Sequence, residues 1–198
     1  MKTKQNRINS PTCLRICLYV LLLALGSCSS CKKDVDPISQ LPPETQTGAN
    51  TAGCLINGVA WIPNGSPWSG IKSIYFAGIR DEFLIINLNF YYESASGSYQ
   101  EYISLCINDY KTLGERTLNS NTVAYPNTFG VRPKDYGCYT RRNVSESNYM
   151  TTTEFVGKVN LKVFDEAKKI VSGTFEFDAI DPVTKKVVSI RNGRFDGK

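Results

Sequence analysis

Histidine is absent from this 198-residue chain, and that absence excludes more chemistry than any other feature of its composition. Without imidazole there is no Ser-His-Asp or Cys-His nucleophile system and no histidine-ligated metal. Long apolar runs are lacking too. The one apolar stretch, residues 16–25, is about half the ~20 residues that a permanent membrane-spanning helix needs. No phosphate-binding glycine loop, calcium loop, amphipathic helix or solenoid-length repeat is present. The cations are dispersed rather than striped, which speaks against a nucleic-acid partner. No metal site and no cofactor are expected.

What is present at the N-terminus is an address. Lys2, Lys4, Arg7 and Arg15 precede the short apolar run, and Leu25-Gly26-Ser27-Cys28 follows it. A basic region, an apolar core and small residues before a cysteine fit a cleaved lipoprotein signal over residues 1–27, with Cys28 fatty-acylated as the mature N-terminus. Cys31 is the rival site, but it would place Cys28 where a branched aliphatic residue is usual. Cleavage removes those four cations and leaves +1 of the net charge of +5, so the basic balance is mostly targeting signal. Ser29 rather than Asp after Cys28 resembles outer-membrane sorting. The expected location is therefore the cell envelope, lipid-anchored, probing either the periplasm or the exterior.

Residues 28–50, with LPP at 41–43 and a Thr/Gln/Gly/Asn-rich continuation, contain few side chains fit for a core and are expected to form a flexible tether. From residue 51 to 198 the apolar period is two, the mark of strands with one buried face. Cys54-Leu55-Ile56 and Val59-Ala60-Trp61 flank Asn57-Gly58, a strong hairpin signal. Strands are expected near 71–79, at 83–92 with Leu84, Ile86, Leu88 and Phe90 on one side, and at 102–108 with Ile103, Leu105 and Ile107 on one side. One or two short strands are expected within 119–149. Further on, Phe155, Gly157, Val159, Leu161 and Val163 alternate with polar residues, as do Val171, Gly173, Phe175, Phe177 and Ala179. Val188 and Ile190 share a parity that Phe195 breaks, which predicts a β-bulge at Asn192-Gly193. Eight to ten short strands joined by turns predict an all-β fold, an antiparallel sandwich or a flattened open barrel.

The segments LPPETQTGANTAGCLINGVAW (41–61), GTFEFDA (173–179) and GRFD (193–196) resemble those of uncharacterised Bacteroidetes lipoproteins that carry this tether and first hairpin directly after their lipobox. The resemblance implies location and fold, with no activity to carry over.

Candidate functional residues are few. The polar side of strand 83–92 carries Asn87, Asn89 and Tyr91, joined by Tyr102, Ser104 and Asn108 if the neighbouring strand pairs in register; Trp68 in the preceding loop could add a platform. Amides beside aromatic rings bond and stack on sugars, and the same residues also suit a plain solvated face. Glu176 and Asp178, two apart on one strand, stand roughly 6–7 Å from each other, within the span of glycosidase carboxylates, or are simply the polar half of an alternating strand. Of the seven cysteines, Cys54, Cys106 and Cys138 lie in the β region. A disulfide suits an exported protein, and Cys54 with Cys138, each following glycine near a strand end, is the expected pair. Zinc is the rival use, and scattered single cysteines disfavour it. No catalytic residue is assigned. The expected function is non-enzymatic, an anchored β-domain for structural or protein-partner contacts at the envelope, with glycan or small-ligand binding as the alternative.

Overall fold

The computed structural model describes residues 35–65, 70, 72–79, 83–94, 97–120, 135–142 and 146–198, with the compact unit running from Asp36 to Lys198. Cys28, Cys31 and Trp68 lie outside the described residues. The domain is all-β, as the period of two requires. Its strands are β1 (Thr51–Ile56), β2 (Val59–Trp61), β3 (Ile74–Ile79), β4 (Phe83–Ser94), β5 (Gly97–Asn108), β6 (Gly114–Leu118), β7 (Tyr136–Arg142), β8 (Glu146–Met150), β9 (Gly157–Asp165), β10 (Ile170–Ile180) and β11 (Val187–Gly197).

All the named strand pairs are antiparallel, in the order β2-β1-β11-β10-β8-β7-β5-β4-β3, with β9 and β6 branching from β10. The sheet curls strongly into an open half-barrel. Its two ends approach each other. A Cβ added to Gly197 of β11 would stand 3.0 Å from Ile74 of β3, and the ring of Trp61 on β2 lies 6.1 Å from that of Phe90 on β4. Leu84, Ile86, Leu88, Ile103, Leu105 and Ile107 face Val159, Leu161, Phe175, Phe177 and Phe195 across one continuous core. Phe177 is fully buried, a burial that stabilises by about 2–3 kcal/mol.

Local chemistry accounts for the expected turns. Asn57 and Gly58 take φ of 51° and 81°, the left-handed pair that a two-residue hairpin demands. The pairing slips where predicted: Phe175 faces Gly193 and Phe177 faces Ile190, so Arg191 and Asn192 together oppose Glu176. That bulge returns Phe195 to the core side. A second bulge was not foreseen. Ser172 pairs with Val163 but Gly173 with Leu161, so Lys162 is the extra residue; Phe164, opposite Val171, packs on the core instead of Val163. Phe155 precedes β9 rather than belonging to it. The region after residue 108 contains β6, which the sequence pattern does not reveal, and then β7 and β8.

Two expectations are corrected. The expected tether over 28–50 is, from residue 36 onward, a strap laid on the sheet. Residues Pro37–Gln40 form a single 3-10 turn beside β2, N-capped by Asp36. Leu41 is buried, and Gly53 lies close beneath the strap, where a Cβ would sit 3.0 Å from Pro42 and 3.3 Å from Leu41. The expected Cys54–Cys138 disulfide is absent: both are free thiols, as is Cys106. Cys54 joins the inner core from β1, whereas Cys138 on β7 shares the outer face with Ser104, and three strands separate them.

Candidate functional site

Three groups of polar residues emerge from this scaffold. The first is the outer face of β4 and β5. Register pairs Asn87 with Ser104, Asn89 with Tyr102 and Tyr91 with Gln100, which brings the predicted residues together. The polar groups of Asn87, Asn89, Ser104 and Asn108 are engaged with one another, with Asp135 or with the backbone. Ser104 donates to the Asn87 side-chain oxygen; the Asn89 amide donates to the Lys72 carbonyl at 3.0 Å; Asn108 donates to Asp135 from its backbone at 2.6 Å. The Tyr91 backbone is paired with Asn64 in both directions, at 2.7 and 2.9 Å. Tyr102 and Ser104 are buried, and the Arg142 guanidinium stands 5.4 Å above the Tyr102 ring. This face is thus a hydrogen-bonded layer in which Asn87, Asn89, Tyr91 and Asn108 are half-buried, rather than a groove.

The second group was missed by sequence reading. Glu101 shares inward parity with Ile103, Leu105 and Ile107, and is itself buried at 8% exposure. An isolated carboxylate there would be costly, but three donors meet it. Trp61 donates from Nε1 at 2.8 Å, Arg141 approaches through Nε at 3.3 Å, and the Tyr139 hydroxyl donates as well. Burial pushes the Tyr139 phenol up, and the charge of Glu101 and its hydrogen bond push it further. From this point an aromatic row runs outward along the inner face of the β4–β5 hairpin. Trp61 to Phe90 is 6.1 Å, Phe90 to Tyr99 is 6.0 Å and Tyr99 to Tyr92 is 5.0 Å. Arg141 sits 5.4 Å over Tyr99, and Tyr92 at the outer end is 46% exposed. The one signal for this group was a charged residue on the apolar parity of β5.

The third group lines a polar groove of about 340 Å³ on the outer face of β9, β10 and β11. It contains the two predicted carboxylates' strand, and the ions there neutralise one another. Lys158 lies 3.7 Å from Glu115 and 3.4 Å from Glu176; Lys162 pairs with Glu44 of the strap. Asp178 receives both of its hydrogen bonds from one Arg191 nitrogen, at 2.8 and 2.7 Å. Glu176 and Asp178 are therefore occupied by different cations, which fits the polar half of a strand and not an acid–base couple.

The thiols are unsuited to nucleophilic work, since the thiolate is the reactive form. Burial raises Cys106 to about 12, with the charge of Asp135 adding to it, and raises Cys138 to about 11 against the opposing hydrogen bonds with Ser104. Burial also raises Cys54 strongly, with Glu101 contributing. Among the described residues no three His, Cys, Asp or Glu side chains cluster so as to hold a metal ion, and no helix is long and apolar enough to cross a membrane. Compared with known protein families, characterised proteins and solved structures, the chain matches none.

Proposed function

We propose that this chain is a lipid-anchored envelope protein, acylated at Cys28, whose β-domain acts by contact with a partner and not by turnover. The observation that supports this reading is the strap. With residues 36–50 bound to the sheet, only the eight steps from Cys28 to Asp36 separate acyl group and domain. Those span at most roughly 30 Å, against roughly 80 Å if all of 28–50 were free. A lipobox followed by a docked strap suits a domain that works close against its own membrane. Mass spectrometry of the protein extracted from native membranes tests the anchor. A diacylglyceryl adduct on a peptide beginning at Cys28 is expected, and Cys28→Ala is expected to release the chain to the soluble fraction. An adduct that starts at Cys31 would move the site; no adduct at all would remove the reading.

A glycan-binding reading is favoured by a separate observation, the aromatic row that ends at exposed Tyr92. Tyr92 is the exposed ring of that row, and one open aromatic ring suits stacking on a sugar. On a glycan array Tyr92→Ala is expected to abolish any signal, and retention of binding in that variant would exclude this row as the site.

A further inference from the structure

Exposed aliphatic side chains gather on one rim of the half-barrel. Val183, 86% exposed, tips the turn between β10 and β11; Val187, 47% exposed, opens β11; Val59, 69% exposed, opens β2. These lie at one end of neighbouring strands. Ile180 pairs with Val187 and Ile56 with both Ile190 and Val59, and the Asn57 backbone donates to the Ser189 carbonyl at 2.8 Å. Ile38, 44% exposed, lies on the 3-10 turn that packs beside β2. Two exposed lysines, Lys185 and Lys186, share the turn with Val183. The turn is held rigidly: Asp181 accepts from the backbone of Val183 at 2.8 Å and of Thr184 at 3.2 Å, while its own backbone donates to the Lys186 carbonyl at 2.9 Å.

We propose that this rim docks on an anionic lipid surface. Aliphatic tips beside lysines are the arrangement that an interfacial site requires, the apolar groups entering the headgroup boundary while the ammonium groups meet lipid phosphates. The course of the chain supplies the second argument. The strap crosses from β11 to β2, so the compact unit begins at Asp36, beside the strand that carries Val59. The inference rests on the acyl anchor proposed above and deepens it, by giving the domain one orientation on the bilayer instead of free rotation.

The test uses the acylated full-length mature protein in vesicles of phosphatidylethanolamine and phosphatidylglycerol whose chains are brominated. Val183→Trp places a fluorophore at the rim, and Leu113→Trp places one before β6 at another exposed position, away from the rim; the unsubstituted protein gives the background of Trp61 and Trp68. Bromolipid is expected to quench the rim tryptophan several-fold more than the control, and Lys185→Gln with Lys186→Gln is expected to reduce that difference. Equal quenching at both positions in a chain that carries its acyl group overturns the docking and leaves the anchor standing. A native chain without diacylglycerol overturns both.

Discussion

Replacing Asp196 tests the strap directly. Its carboxylate, 1% exposed, gathers the strap from one side: Oδ2 accepts from the Thr45 hydroxyl at 2.6 Å and from the backbones of Thr47 and Ala49 at 3.0 Å, and Oδ1 accepts from the Gly48 backbone at 2.8 Å. Hydrogen bonds to a charged group contribute about 1.5–3 kcal/mol each when measured singly. They do not add here, because a strap that lets go regains water for its donors. The loss is bounded by what docking supplies beyond that, which includes the burial of Leu41 at about 1.5–3 kcal/mol. Asp196→Ala is therefore expected to cost about 2–4 kcal/mol in urea denaturation. Asp196→Asn keeps an acceptor for Gly48 but turns an NH2 toward three donors, so it is expected to be nearly as damaging. Desolvation pushes the Asp196 carboxyl up, but the hydrogen bonds from Thr45, Ala49, Thr47 and Gly48 outweigh it and hold the carboxyl below the ordinary range. Because the folded value is the lower one, this stability is present above the unfolded value near 4 and disappears as pH falls through the folded value. Hydrogen exchange of the Thr47, Gly48 and Ala49 amides is the assay that isolates the strap. If those amides stay protected in Asp196→Ala, or if the variant matches the parent within about 0.5 kcal/mol, the reasoning fails.

Trp61→Phe keeps the ring and removes one donor to Glu101; a cost of about 1–3 kcal/mol is expected from the buried carboxylate left short of a partner, measured by urea denaturation. Gly157→Ala would set a Cβ 2.1 Å from that of Phe177 and 2.6 Å from the Glu176 carbonyl, so overpacking is expected to cost about 3 kcal/mol or more, read as a fall in Tm. Cys54 and Cys106, both buried, are expected to resist a disulfide reagent at pH 8 until the protein unfolds, with half-buried Cys138 reacting before them; fast labelling of Cys54 or Cys106 in the native protein would refute their burial. The same thiols lose protons first in the unfolded state as pH rises past its value near 8.5, so stability is expected to fall at alkaline pH.

The parts legible in the sequence were those set by neighbours along the chain. Asn57-Gly58 allowed one turn, and the parity break between Ile190 and Phe195 required a bulge between them. The parts that were not legible depend on strand order. Alternation assigns Tyr102 and Ser104 to the outer side correctly, but it cannot say that this side is closed, because closure comes from Asn87, Arg142 and β7. Cys54 and Cys138 look alike in their local setting, yet the order β1-β11-β10-β8-β7 puts three strands between them and sets them on opposite faces. Glu101 broke the apolar parity of β5 openly; its partners Trp61, Tyr139 and Arg141 come from two other strands and could be found only in the fold.

The strap also couples two segments that lie far apart in the sequence. LPPETQTGA begins 152 residues before GRFD in the hydrogen bond that joins them, where Arg194 donates to the Pro42 carbonyl at 3.1 Å. Each residue of GRFD has a separate duty toward that contact. Gly193 stands in the bulge, so Arg194 points outward to the strap while Phe195 points inward to the core, and Asp196 then collects Thr45 through Ala49. On the other side Gly53, by having no side chain, leaves the space that Leu41 and Pro42 occupy. A change in either segment leaves buried donors or a buried carboxylate without partners in the other, so the two are constrained together although nothing in between needs to be. The clasp joins the strap to the last strand, so residues 42–49 are held on the sheet by side chains at the opposite end of the sequence.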